Sequence, residues 1–405
     1  MHRCSFLLVT LLIAACAGPA VAAPSPSAEL RSPTPEPLAT AMPATAAPSR
    51  YPEPSTAVAE PSAGIEPSPA PVAATTTPTL AQLIGQKLVV RMDGTTPSPS
   101  LLARARAGQI GGVILFGANV SSPSQVEALT AELQAAAAAG GQPPLLIATD
   151  QEGGAIKRIP WAGPTLSPPE MGAIGLASTA RQQGAATGQA LVGLGIDCDL
   201  APVADVPRST SSFMYIEGRT WSFDAALTAT VSNAFARGLE SAGEVPVMKH
   251  FPGIGFATQN TDMSVVTIRA SLAALSPGLQ PYSTAVSKAI PMIMLSNATY
   301  TAWDPLNGAG WSRAIVKGLL RDQLGFRGVT ITDSLSGTAK ARGIPVSTLA
   351  IRAATAGTDM ILVTGSESST QATYKALLAA AEAGQIPTTR LQTSYRRILA
   401  LKSTL

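Results

Sequence analysis

The amino-acid sequence predicts an α/β protein whose single folded domain, residues 79–405, is a TIM or (β/α)8 barrel preceded by a disordered linker. Three observations predict it. Eight short apolar runs recur along residues 79–405, each followed by loop residues. Such runs suit strands buried on both faces, as in parallel sheets. Helix-like stretches alternate with them, and strand–helix alternation points to a parallel α/β fold. Hydrophobic residues make up 46% of the 405 and charged residues 13%, enough for a large core. Eight repeats favour a closed barrel over an open doubly wound sheet. No GxGxxG segment opens a helix after the first run, which counts against a dinucleotide fold.

The chain begins with an export pattern. Arg3 supplies a positive start and Phe6 to Ala15 an apolar run too short to span a bilayer comfortably. Residues 1–22 therefore read as a signal peptide. Ile13-Ala14-Ala15-Cys16 resembles a bacterial lipobox, which makes Cys16 the expected lipidation site. Cleavage after Ala20-Val21-Ala22 is the alternative and would give a freely secreted protein. Either way the expected location is extracytoplasmic. Residues 24–78 hold 14 of the 34 prolines among Ser, Thr, Ala and Glu. This composition cannot bury enough apolar surface to offset chain entropy, so 23–78 is expected to be a disordered linker. Fully extended it would reach about 170 Å, at about 3.1 Å per residue.

From Thr79 the composition becomes globular. The expected strands are Lys87–Met92, Gly111–Phe116, Leu145–Asp150, Asp197–Val206, Val245–Phe251, Pro291–Asn297, Gly328–Asp333 and Met360–Gly365. The expected helices are Ser124–Ala139, Phe223–Glu240, Ser271–Ala285, Ser312–Leu324, Val346–Ala356, Ser369–Ala383 and Thr388–Leu401. Gly325 and Gly384 stand where helices should stop.

Barrel sites lie at the C-terminal strand ends, and these ends are polar. Asp150 closes the third strand; Asp197, Asp199 and Asp205 belong to the fourth. Lys249-His250 closes the fifth, Ser296-Asn297 the sixth and Asp333 the seventh. A single Asp there is as often a helix cap or turn residue, and a lone His is more often structural. Five polar ends converging on one mouth point to a polar, hydroxyl-rich ligand. Other classes fit poorly. A net charge of +3 without a dense basic stripe excludes a nucleic-acid footprint. His2 and His250 are the only histidines, and Cys4, Cys16 and Cys198 the only cysteines, so neither a zinc site nor a disulfide framework is expected. No G-x-S-x-G elbow is present.

The motifs at these ends make the chain similar to glycoside hydrolase family 3. Asp150-Gln-Glu-Gly-Gly154 resembles its DQEGG motif, Lys249-His-Phe-Pro-Gly253 its KHFPG motif, and Gly328-Val-Thr-Ile-Thr-Asp333 its nucleophile strand. Ala201-Pro-Val-Ala-Asp205 and Gly218-Arg-Thr-Trp-Ser-Phe-Asp224 resemble two further family segments, and Leu319–Gly328 the helix leading into that strand. The match runs in family order over 79–405 and looks closest to the single-domain β-N-acetylhexosaminidases of cell-wall recycling. The resemblance implies a retaining glycosidase acting on terminal β-linked sugars, with Asp333 as nucleophile and Asp150, Arg219, Lys249 and His250 holding sugar hydroxyls. It implies no cofactor and no metal. The partners would be a carbohydrate and, through the lipid anchor alone, a membrane.

One loop departs from the family. After KHFPG its single-domain hexosaminidases carry GHG and then DSH, whose His and Asp form the acid/base pair. Here the segments read Gly253-Ile-Gly255 and Asn260-Thr-Asp262. Asp262 falls at the place of the histidine. Three readings stand: Asp262 is the acid/base with a pKa raised by burial, Glu217 does that work, or the site binds sugar without efficient hydrolysis. Asp333 is expected in a basic neighbourhood that includes Lys249. Trp221 either lines the pocket or packs.

Overall fold

The computed structural model describes residues 77–405. The expected signal peptide, Cys16 and all of the linker before residue 77 lie outside the described residues. The eight barrel strands are β1 (Leu88–Arg91), β2 (Gly112–Leu115), β3 (Leu146–Thr149), β4 (Cys198–Asp199), β5 (Val245–Phe251), β6 (Met292–Leu295), β7 (Val329–Thr332) and β8 (Ile361–Val363). Each expected run contains one of them. All neighbours pair in parallel in chain order, and β1 also pairs with β8 through Leu88↔Ile361. The ring is completed between β7 and β8 by a bridge, Ile331↔Met360, with the Thr332 N–H donating to the Met360 carbonyl at 3.1 Å. The sheet is therefore a nearly closed barrel and not an open one.

Side-chain alternation divides the core. Val89 and Ile114 join Leu146, Val247, Met294, Ile331 and Leu362 in the barrel interior. Leu88, Val90, Val113 and Leu115, one residue out of phase, pack outward against the helices. Helix starts follow local chemistry. Thr79 makes a capping box with Gln82, and Ser122 caps Pro123–Ala139 with proline in the first turn. Asp224 accepts from the N–H groups of Ala226 and Leu227.

Two helices differ from expectation. The stretch 271–285 is not continuous: it divides into Leu272–Leu275, a 3-10 turn Ser276–Leu279 and Gln280–Ser287. Pro277 and Pro281 lack the N–H groups a continuous helix would use. The stretch 312–324 is a π-helix, Ala314–Gln323. Helices Pro99–Arg106 and Ala177–Val192 are present beyond those expected.

Candidate active site

A cavity of about 310 Å³ opens at the C-terminal ends of the strands. Its floor is Ile114, Leu200, Met294 and Leu362, the upper layer of the barrel interior. Asp150, Arg219, Lys249, His250, Asp262 and Asp333 all line it. The structure thus brings these six residues together, but the expected convergence of all five polar ends is a correction: Asp197, Asp199, Asp205, Ser296 and Asn297 do not line the cavity, Asp197 and Asp199 instead accepting from the backbone N–H groups of Ile147 and Gln151. Trp221 does not line it either: it is buried against Phe235, with its indole N–H donating to the Val203 carbonyl at 2.7 Å. Phe256 is covered by Arg208, and Met263 is exposed on the loop.

A buried ion network forms one wall. Lys249 Nζ lies 2.8 Å from Asp150 Oδ1 and 2.6 Å from Glu152 Oε1. Arg219 clasps Glu152 with both arms of its fork, Nε to Oε2 at 2.8 Å and a terminal nitrogen to Oε1 at 2.7 Å. Burial alone would raise the Glu152 pKa, but Arg219 and Lys249 outweigh it and hold the carboxyl well below the usual range. Burial opposes the Lys249 charge, and Asp150 and Glu152 outweigh that too, keeping the ammonium above its ordinary value. Arg158 approaches the second oxygen of Asp150 at 3.6 Å and stacks over Phe116. Glu152 sits in the motif Asp150–Gly154, yet its own role was not anticipated, because sequence does not reveal which carboxylate takes the cations.

The hairpin Gln151–Gly153/Ile156–Lys157 sets this wall. The Gln151 amide donates to the carbonyls of Ile159 and Gly163 and accepts from the N–H groups of Arg158 and Ile159. Gly153 adopts φ 95°, and a Cβ there would meet Pro164 at 2.7 Å.

On β5 the Lys249–His250 peptide is cis, and both side chains line the cavity. His250 Nδ1 lies 2.8 Å from Asp205 Oδ2, while Asp205 Oδ1 accepts from the Ile254 N–H at 2.8 Å. Asp205 thereby fixes the imidazole so that Nε2 is the ring nitrogen left for a ligand. That pairing was also unseen in the sequence.

Asp333 follows β7. Its N–H donates to the Leu295 carbonyl and its Oδ1 accepts from the Ser334 N–H at 2.7 Å. The expected basic neighbourhood is a correction: among the described residues no cation lies within 4 Å of Asp333, because Lys249 and Arg219 are turned to Asp150 and Glu152. A titratable neighbour of Asp333 is Asp262. Burial, and then the Asp333 charge, push the Asp262 pKa up to about 7. One Asp262 carboxyl oxygen is buried without a hydrogen-bond partner among the described residues, an arrangement that disfavours the ionised form. The loop bearing it is seated on helix Leu335–Ala341: Thr338 Oγ1 donates to the Thr261 carbonyl at 2.9 Å. Gly337 allows this contact, since a Cβ there would stand 2.7 Å from Asp262 Cβ. Glu217 also lines the cavity but is exposed.

Residues 79–401 match the profile of the glycosyl hydrolase family 3 N-terminal domain. The chain belongs to glycoside hydrolase family 3. It is 34% identical over 337 residues to a secreted glycosyl hydrolase of Arthroderma benhamiae, covering 80% of this chain and 94% of that one. It is 33% identical over 286 residues to a β-hexosaminidase of Nitrosomonas eutropha, covering 68% and 80%. Among solved structures, a family 3 β-N-acetylglucosaminidase from Paenibacillus sp. FPU-7 superposes with a TM-score of 0.77 at 31% identity, over 81% of this chain and 63% of that one. A β-N-acetylhexosaminidase from Beutenbergia cavernae gives 0.75 at 32%, over 81% and 99%. As a family 3 member the chain is a glycosidase acting on O-glycosyl bonds, and its barrel is the family's N-terminal domain.

Among the described residues no group of three or more His, Cys, Asp and Glu side chains is placed to hold an ion. The pocket instead offers acceptors at Asp150, Asp262 and Asp333 and donors at Arg219 and Lys249. That mixture suits a ligand whose hydroxyls both donate and accept.

Proposed function

We propose that this enzyme releases terminal β-linked N-acetylhexosamine, from cell-wall fragments, by a retaining double displacement. Asp333 is the nucleophile, aimed at the anomeric carbon from the end of β7. Asp262 is the acid/base: it protonates the leaving oxygen and later takes a proton from the attacking water. Asp150, Arg219, Lys249 and His250 hold sugar hydroxyls and orient the ring. The observation that carries the reading is a pair of carboxyls in one cavity with different surroundings. Asp262 is half-buried, with one carboxyl oxygen buried and unpartnered among the described residues, and is biased toward its protonated form, while Asp333 accepts a backbone N–H. Environments that push two acids apart separate donor from nucleophile. Glu217 is exposed at the cavity and lacks the buried, unpartnered carboxyl oxygen of Asp262.

The β-hexosaminidase names of the relatives support the sugar, and the secreted relative supports an extracytoplasmic enzyme. Together with the lipobox-like Ile13–Cys16, this favours a membrane-anchored lipoprotein reaching its substrate on a proline-rich tether.

The test follows an aryl β-N-acetylglucosaminide by NMR during turnover. Release of the β-anomer first supports double displacement; release of the α-anomer, or no release at all, removes Asp333 from the nucleophile role. Asp262→Ala separates the carboxyls further. It should slow substrates with poor leaving groups far more than nitrophenyl glycosides, whose departure needs little protonation.

A further inference from the structure

A second hollow, of about 360 Å³, lies between the π-helix Ala314–Gln323 and helix Thr388–Lys402, beside the residues leading into β7 and β8. It shares no lining residue with the active-site cavity. Six cationic side chains line it: Arg313, Lys317, Arg321, Arg327, Arg390 and Arg397. Only two carboxylates answer them. Asp322 at the rim pairs with Lys317, and the buried Asp359 takes Arg321 and Arg397. No carboxylate among the described residues lies within 4 Å of Arg313, Arg327 or Arg390. The adjoining hollow places Asp304 near Arg313 and Arg390, but that carboxylate is occupied by Ser312 and Asn307. Burial and the Arg313 guanidinium both push Arg390 below its ordinary pKa.

Like charges held together cost a fold stability unless something repays them. A concave surface with three unpaired arginines has the planar, forked donors that suit a phosphoryl group. We infer that this hollow binds a phosphate-bearing ligand, contacted by Arg313, Arg327 and Arg390, at a place where it cannot compete with substrate. The phosphate could belong to a soluble or wall-borne phosphate compound or to the headgroup of an anionic lipid. The chemistry is the same in both.

The experiment titrates the full chain with inorganic pyrophosphate by calorimetry and thermal shift, against sodium chloride at matched ionic strength. In parallel, the chain is sedimented with phosphatidylglycerol and with phosphatidylcholine vesicles after removal of any lipid anchor. Pyrophosphate should raise Tm beyond the chloride control. The double variant Arg313→Gln/Arg390→Gln should weaken binding at least about tenfold, the loss expected for about 1.4 kcal/mol. Its turnover of an aryl glycoside should match wild type, which shows it is folded. The double lysine variant, keeping the charge but not the fork, should bind with intermediate affinity. Pyrophosphate binding without vesicle recruitment assigns a soluble or wall-borne phosphate. Recruitment to phosphatidylglycerol alone, lost in the glutamine variant, assigns a lipid headgroup. A pyrophosphate response equal to chloride with no recruitment, or any binding unaffected by the glutamine variant, overturns the inference.

Discussion

Asp333 and Asp359 stand at opposite ends of neighbouring strands and live in different ways. Asp359 is fully buried. It accepts from Arg321, Arg397, the Ser394 hydroxyl, and both the N–H and hydroxyl of Thr330. Lys87, whose pKa burial lowers to about 8 against the pull of Asp359, completes that cluster by donating to the Thr358 and Asp359 carbonyls. Asp333 accepts from the Ser334 N–H, and the rest of its acceptor capacity faces a cavity. Saturation of every lone pair marks a carboxylate that holds structure together. An underused carboxylate at a cavity wall marks one available to a ligand. The two sites should therefore fail differently when altered.

The largest contrast is expected from Asp333→Asn. It should lower kcat by about 10⁴-fold or more, the scale for loss of a covalent nucleophile, with Tm unchanged. Single-turnover assays and thermal unfolding measure both.

Asp262→Asn comes next, at about 10²- to 10⁴-fold in kcat for a poor leaving group. Wild-type kcat/KM should fall as pH rises through about 7, where Asp262 loses the proton that the proposed mechanism has it donate. The limb belongs to the coupled Asp262–Asp333 pair and not to one group. A pH profile of the variant that keeps this limb would detach it from Asp262.

Asp359→Asn should do the reverse. Leaving the buried Arg321 and the half-buried Arg397 without their counter-charge is expected to cost about 3–5 kcal/mol, read by urea unfolding. Molecules that remain folded should keep their kcat/KM.

Gly337→Ala tests the seat of the loop. The added methyl meets Asp262, so the loop must shift; a displacement near 1 Å can cost roughly 10²-fold in rate. The effect should fall on kcat with KM little changed. Smallest is Trp221→Phe, which removes one buried hydrogen bond, worth about 1 kcal/mol of stability, and should leave turnover intact.

Much of this contrast was legible in the sequence, and the rest was not for physical reasons. Strand positions could be read because runs such as 245–251 are apolar enough to be buried on both faces. The convergence of Asp150, Lys249, His250 and Asp333 followed, since a barrel carries all strand ends to one rim. Pairing was not legible. Lys249 was expected beside Asp333 and is found on Asp150 and Glu152, because register and side-chain direction decide among carboxylates at similar strand depth. Asp205 behind His250 was hidden for the same reason. The break at Pro277 and Pro281 was a misjudged signal, since both prolines were there to be read against the apolar spacing.

The floor formed by Ile114, Leu200, Met294 and Leu362 has a consequence for the order of events. A cul-de-sac admits a chain only by its tip, which accords with the proposed trimming of chain ends and not with threading a polymer. Whatever lies deepest must also depart last, through the doorway by which it came. On the proposed reaction, the aglycone would clear the entrance before the freed monosaccharide could follow, and monosaccharide accumulating outside would queue for the same berth as the next chain end.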